Sequence, residues 1–242
     1  MRPEKINCLR SNTLAVLAAF LCLVLLLPEV LPAGKSVTDL LGRQVTVPEK
    51  PERIIALAPS VTEIVFAIGS ENKLAGVTMF SDFPEGANSL PKVGSYVHLD
   101  LEKIVSLNPD LCIAVKDGNP KHVIDRLESL GIPVFAVNPT NLGSVMEAIS
   151  TIGGLINAEK QAAVVVGDMR RRVAFVQSAI GDITARPRVF FQIGIDPIVS
   201  AGSDTFIDEL ISMAGGVNLA AGKTPYPRFS KEQVLKDRKS VV

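Results

Sequence analysis

Side chains able to run covalent or acid–base chemistry are scarce in this chain, and its two histidines set the limit. His98 reads as a loop residue and His122 as a helix-start residue, and neither has an evident serine partner for a nucleophile–base pair. The Gly-x-Gly-x-x-Gly, Gly-x-Ser-x-Gly and P-loop patterns are absent. Two separated histidines do not make a metal cluster. The expectation is a protein that is not an enzyme, holds no metal and uses no cofactor. What remains for recognition is two tyrosines, Tyr96 and Tyr226, each in a loop rich in proline or glycine. Two glutamates, Glu63 and Glu209, stand on apolar helical runs with no basic residue at helical spacing to pair with.

Those glutamates belong to an internal echo. Ser60-Val-Thr-Glu63-Ile-Val-Phe-Ala-Ile-Gly69 corresponds to Thr205-Phe-Ile-Asp-Glu209-Leu-Ile-Ser-Met-Ala-Gly-Gly216, each with a Glu six residues before a Gly. Each follows a strand-like run introduced by Arg, at Arg53 and at Arg188. A second echo aligns Glu102 to Cys112 with Glu232 to Val242. One architecture built twice gives two lobes, and the cleft between lobes is a natural place for a small molecule.

Arg2, Lys5 and Arg10 precede an apolar stretch from Leu14 to Leu27 that is shorter than the ~20 residues of a membrane span. Residues 1–33 therefore read as a secretory signal peptide, with Leu31-Pro-Ala33 as the cleavage site and the mature chain starting near Gly34. Cys22 follows Leu21, where a lipid-attachment site wants a small residue, so lipidation is not expected. The leader takes Cys8 and Cys22 with it, leaving Cys112 as a buried strand residue with no disulfide partner. It also takes three basic and two acidic residues from 25 of each, and the near-neutral remainder argues against a nucleic-acid partner.

The mature chain alternates short apolar strands with amphipathic helices, the pattern of an α/β fold whose mostly parallel sheet is covered on both faces. A hairpin is expected over Val37 to Val47, turning at Leu41-Gly42-Arg43, then strands at Ile54–Leu57, Leu74–Val77, Leu111–Val115 and Val134–Val137. Helices are expected at Val61–Ile68, Leu101–Leu107 and Pro120–Leu130. Asn157 reads as the N-cap of a long helix running to Ile180, with Ala162, Val166, Met169, Val173, Val176 and Ile180 as its apolar stripe. Arg170, Arg171 and Arg172 fall on its wet faces. This divides the chain into a first lobe at 34–156, a connecting helix at 157–181 and a second lobe at 182–242. One helix between two lobes is a stiff connector that allows rocking rather than wide closure.

Taken in order, Ile54 to Gly69, Val77-Thr-Met-Phe-Ser-Asp-Phe-Pro84, Leu90-Pro-Lys-Val-Gly94, Leu107-Asn-Pro-Asp-Leu111, Gly131-Ile-Pro-Val134 and Tyr226-Pro resemble the helical-backbone class of periplasmic binding proteins of ABC importers. Within that class the chain is most similar to the cobalamin-binding branch. The resemblance implies two Rossmann-like lobes joined by one long helix. It also implies a periplasmic monomer that captures a corrinoid, or else a ferric siderophore or haem, and hands it to a permease dimer with its ATPase. A secreted ligand sensor without transport would use the same cleft.

The family pattern puts ligand contacts in loops at the mouths of the lobes, which here implies Phe80, Tyr96 and Tyr226 as aromatic contacts for a broad flat ligand. Ser60, Asn119 and Arg228 are implied as polar contacts on the same rims. The alternative for Phe80 and Phe83 is that they plug an edge of the core. Glu63 and Glu209 are implied as docking points for arginines on the two halves of the permease, since bidentate pairs fix orientation; the alternative is two solvated charges. The chain departs from the branch at Val115 and Val199, where relatives carry aromatics, and it has no tryptophan. By the second echo, Ser240 begins only the first part of a strand, so the second lobe is expected to be incomplete.

Overall fold

The computed structural model describes residues 34–181, 185–222, 224–236 and 240–241. The expected signal peptide at 1–33 lies outside them.

The first lobe is built on a four-stranded parallel sheet of order β4-β3-β5-β6, with β3 at Ile54–Ala56, β4 at Leu74–Val77, β5 at Leu111–Val115 and β6 at Val134–Val137. Parallel neighbours need crossover helices. These are α1 (Pro59–Ala67) after β3, α2 (Leu101–Ser106) before β5, and α3 (Lys121–Ser129) between β5 and β6. α4 (Leu142–Leu155), a helix beyond those expected from sequence, follows β6 and closes the lobe with a capping box between Asn141 and Ser144.

Alternation along each strand sorts the core into two layers. Ile54, Ala56, Leu111, Ile113, Phe135 and Val137 point to the side of α1 and α4. Ile55, Cys112, Ala114, Val134 and Ala136 point to the side of α2 and α3, where Ile104, Ile124 and Leu127 meet them. Cys112 is fully buried there, and burial first, then the Asp110 charge, pushes its thiol up to about 12. The N-terminal hairpin, β1 (Gly34–Thr38) and β2 (Gln44–Pro48), turns as expected through Gly42 at φ 80°. Asp39 holds that turn by accepting from the Leu41 and Arg43 amides at 2.9 and 2.8 Å.

The Asn-Pro-Asp motif has a structural job. Asn108 takes a left-handed φ of 45° to end α2, and the Asp110 carboxylate accepts from the Glu52 and Arg53 amides at 2.7 and 3.1 Å. The chain entering β3 is thereby tied to the chain entering β5.

The long helix is α5 (Glu159–Ile180). Its N-cap is Ala158 rather than Asn157, which corrects the expectation. Asn157 instead takes φ 61° in the tight turn between α4 and α5, and its side chain donates to Glu49 O at 3.1 Å. The helices meet closely at Gly153, where an added Cβ would fall 2.4 Å from that of Ala162. The stripe runs as expected, but only Ala162 and Val166 are buried, against the first lobe. Arg171 and Arg172 lie on the wet face and pair with Asp168.

The second lobe repeats the first in outline. β7 (Arg188–Phe190) lies between β10 (Val217–Asn218) and β12 (Ser240–Val241), both parallel to it, just as β3 lies between β4 and β5. An antiparallel sheet interrupts the repeat: β8 (Gln192–Ile195) and β9 (Ile198–Ser200) precede α6 (Phe206–Met213), and β11 (Arg228–Phe229), after β10, pairs with β9. α7 (Lys231–Lys236) follows β11. The cluster of buried apolar residues here is small, centred on Phe190, Ala220 and Phe229. Open apolar grooves of about 230 and 290 Å³ flank α6, one lined by Val173, Val176 and Met213, the other by Val189, Phe191 and Ile207.

Burial of apolar surface is the main force opposing chain entropy, so the two lobes should differ in local stability. Native-state hydrogen exchange should be slower across Ile54 to Val137 than after Arg186; equal strong protection in both would contradict this account.

Candidate functional site

Because β3, β5 and β6 run parallel, their C-terminal ends open on one edge of the sheet. Ser60 follows β3, Val115 and Asp117 lie at the end of β5, and Asn138 and Pro139 follow β6. Together with Val145 of α4 and Phe206 of α6 they line a cleft of about 340 Å³ between the lobes. Ser60 is the one predicted contact in its wall. Phe206 was missed by sequence reading: at the start of a helix it looked like any apolar helix residue, and only the approach of the second lobe puts it in the cleft.

The first-lobe aromatics extend this edge. The Met79 amide donates to Gly94 O at 2.8 Å, which joins the Phe80 loop to the loop that carries Tyr96. Beneath Phe80, three buried hydroxyls interlock: Ser81 Oγ lies 3.0 Å from Thr62 Oγ1 and 2.9 Å from Thr78 Oγ1. Lys92 adds bonds to Ser81 O and Ala87 O at 2.8 and 3.0 Å. The backbone is anchored, yet Phe80 is 56% and Phe83 67% exposed, so neither ring plugs the core. Met79, Phe80, Phe83 and Tyr96 are exposed apolar side chains on joined loops, from which a bound apolar surface would displace water.

In the second lobe, Gly202 N–H donates to Pro225 O at 2.8 Å and Ser200 N–H to Pro227 O at 3.1 Å. The prolines on either side of Tyr226 supply only carbonyls, and the chain lies along β9 with Tyr226 64% exposed. Gly202 allows this approach, since a Cβ there would fall 2.2 Å from Thr224 O. Arg228, the first residue of β11, is exposed beside Val199.

Asn119 differs from the other predicted contacts. It is 8% exposed, its Oδ1 accepts from Val115 N–H at 2.8 Å, and its Nδ2 donates to Leu57 O and Tyr96 O, both at 2.8 Å. Its amide faces inward.

The two glutamates are equivalent in sequence and unequal in surroundings. Glu63 is exposed on α1. Glu209 on α6 is half-buried, and its Oε2 accepts from the Leu142 amide at 2.7 Å. Leu142 begins α4, whose first amides have no partner inside the helix, and a carboxylate suits that end of the helix dipole. Glu209 therefore joins the lobes directly. Sequence could not show this because the two residues are 67 apart in the chain.

Among the described residues no group of three or more His, Cys, Asp or Glu is placed to hold a metal ion. The architecture is that of a two-lobed α/β binding protein with a cleft at the carboxyl ends of its strands. Residues 54–242 match the periplasmic binding protein family, and the chain belongs to it. Among its relatives, the vitamin B12-binding protein of Yersinia pestis is 33% identical over 216 residues, covering 87% of this chain and 76% of the relative. The crystal structure of the periplasmic vitamin B12 binding protein BtuF of Vibrio cholerae superposes with a TM-score of 0.66 at 33% identity, covering 79% of this chain and 75% of that one. A periplasmic heme binding protein from Pseudomonas aeruginosa superposes with a TM-score of 0.71 at 28% identity, covering 79% and 71%.

Removing the cross-lobe acceptor with Glu209→Ala should lower unfolding free energy by about 1.5–3 kcal/mol, the value of a hydrogen bond to a charged group, and Glu209→Gln should recover part of it. Glu63→Ala should change stability by less than about 0.5 kcal/mol, as for other exposed helix residues. Urea denaturation of the three variants checks both.

Proposed function

We propose that this chain is the periplasmic solute-binding component of an ABC importer and that its cargo is a corrinoid. The observation that carries the reading is the exposed aromatic set on anchored loops beside the inter-lobe cleft, in a chain one-third identical to vitamin B12-binding proteins. Exposed rings held on fixed backbone are preorganised for a flat apolar face, so binding costs little further ordering. The corrin ring sits across the mouth of the cleft between the lobes, against Phe80, Tyr96 and Tyr226, with Ser60 and Arg228 meeting polar groups at its edge. In this reading the N-terminal leader directs export and is removed, and the mature chain works as a monomer.

Delivery requires a partner. Glu63 and Glu209 dock the loaded protein onto arginines of a dimeric permease served by its ATPase. Glu63 is available as it stands. Glu209 must exchange its bond to the Leu142 amide for the partner's guanidinium, so the second contact is made at the expense of a lobe–lobe one.

Calorimetry with cyanocobalamin tests the cargo. Tyr226→Ala should weaken binding by roughly 1–3 kcal/mol, the cost of losing a well-packed aromatic wall. No heat with cyanocobalamin at millimolar concentration, with binding of haemin instead, would overturn the corrinoid reading and leave the family intact. For docking, Glu63→Ala is the cleaner variant because it leaves the cross-lobe bond alone. It should keep cyanocobalamin affinity and lose most cyanocobalamin transport in vesicles reconstituted with the permease and its ATPase; normal transport would remove the docking role.

A further inference from the structure

Tyr96 stands at the tip of a loop whose neck is closed by backbone contacts. Gly94, at φ 90°, lies so close to the returning chain that an added Cβ would fall 2.4 Å from His98 O. Asp100 N–H donates to Val93 O at 3.0 Å, and His98 N–H to Ser95 Oγ at 3.0 Å. These bonds close the loop without orienting the Tyr96 ring. Two neighbours from another segment do reach Tyr96. Asn119 Nδ2 holds its carbonyl at 2.8 Å, and Gly118 lies under its ring, where an added Cβ would come within 2.7 Å of Cδ2 and 3.0 Å of Cε2.

Asn119 is well suited to this task. The bond from Val115 N–H ties it to β5, and its bond to Leu57 O ties it to the end of β3. A single buried amide thus fixes the Tyr96 backbone against the two strands whose ends form the cleft. It needs both a donor and an acceptor: Asp would turn a second oxygen toward two carbonyls, and Ala would take this partner from three backbone groups, the buried Leu57 carbonyl among them. Gly118 is equally constrained, because at φ 132° any side chain is strained and would also displace the ring.

We propose that Gly118 and Asn119 are positioning residues that set the pose of the Tyr96 ring at the mouth of the cleft, and so govern ligand fit without touching the ligand. The consequence for affinity rests on Tyr96 being a ligand contact, as in the function proposed above; the pose itself does not.

The chain has no tryptophan and two tyrosines, which makes the pose measurable. Protein labelled with 3-fluorotyrosine should give two fluorine resonances, assigned by Tyr226→Phe. Gly118→Ala and Asn119→Asp should each shift or broaden the Tyr96 resonance and leave that of Tyr226 in place, without any ligand present. Cyanocobalamin should then bind Gly118→Ala about tenfold more weakly, as expected for a misplaced aromatic wall. In a Tyr96→Ala background, Gly118→Ala should cost no further affinity, because the ring it displaces is gone. An unmoved Tyr96 resonance in both folded variants would overturn the proposal. So would an affinity loss of equal size with and without the Tyr96 ring. If the unmutated protein binds no cyanocobalamin, the corrinoid reading fails by itself, and the fluorine spectra still decide the positioning role.

Discussion

The parallel pairing of β3 with β5 is the constraint from which the rest of the site follows. A parallel ladder forces each connection to cross the sheet as a helix, so every strand enters from one edge and leaves at the other. The loops after β3, β4, β5 and β6 therefore gather at a single edge, and Ser60, Phe80 and the Gly118-Asn119 pair arrive there without any local signal directing them. Two buried layers hold this sheet rigid, and Asp110 locks the strand entrances at the opposite edge by bonding the chain into β3. The carboxyl edge is then free to carry recognition on short anchored loops.

Polar groups under the aromatic rim divide into those that hold and those that face outward. Thr62, Thr78, Ser81 and Lys92 spend their hydrogen bonds on the Phe80 loop, and Asn119 spends its own on the Tyr96 loop. With these needs met internally, the rings above can remain exposed on a backbone that does not collapse around them. The same division explains the unequal glutamates. Glu63 keeps its charge in water, while Glu209 meets the unpaired amide at the head of α4 and draws the lobes together beside Phe206.

Duplication was legible because it shows in sequence as equal spacing, and the structure turns that spacing into equal topology, with β10 and β12 on either side of β7. The inserted sheet of β8, β9 and β11 was not legible. Its strands are short and antiparallel; β8 and β9 pair locally, as Ile195 does with Ile198, but β11 reaches β9 from far along the chain, as Arg228 does Val199. Asn157 shows the limit at the level of one residue. Asparagine suits a helix N-cap and a left-handed turn equally well, and the close contact of α4 with α5 at Gly153 decided for the turn.

Sequence alone determined the strands of the first lobe's sheet and the helices between them, though not the closing helix α4. Strands β4, β5 and β6 have the bounds expected of them, because a strand buried on both sides must be continuously apolar and its length is read directly. It also determined the family, whose motifs are local and ordered. Tertiary structure decided what each polar residue does. Asn119 read as a ligand contact and lies buried with three internal bonds; Glu209 read as the twin of Glu63 and spans the lobes; Phe206 was unremarked and lines the cleft. Apolar periodicity is a property of neighbours in the chain, whereas the partner of a hydrogen-bonding group is whichever segment the fold brings within about 3 Å, and sequence spacing holds no record of that distance.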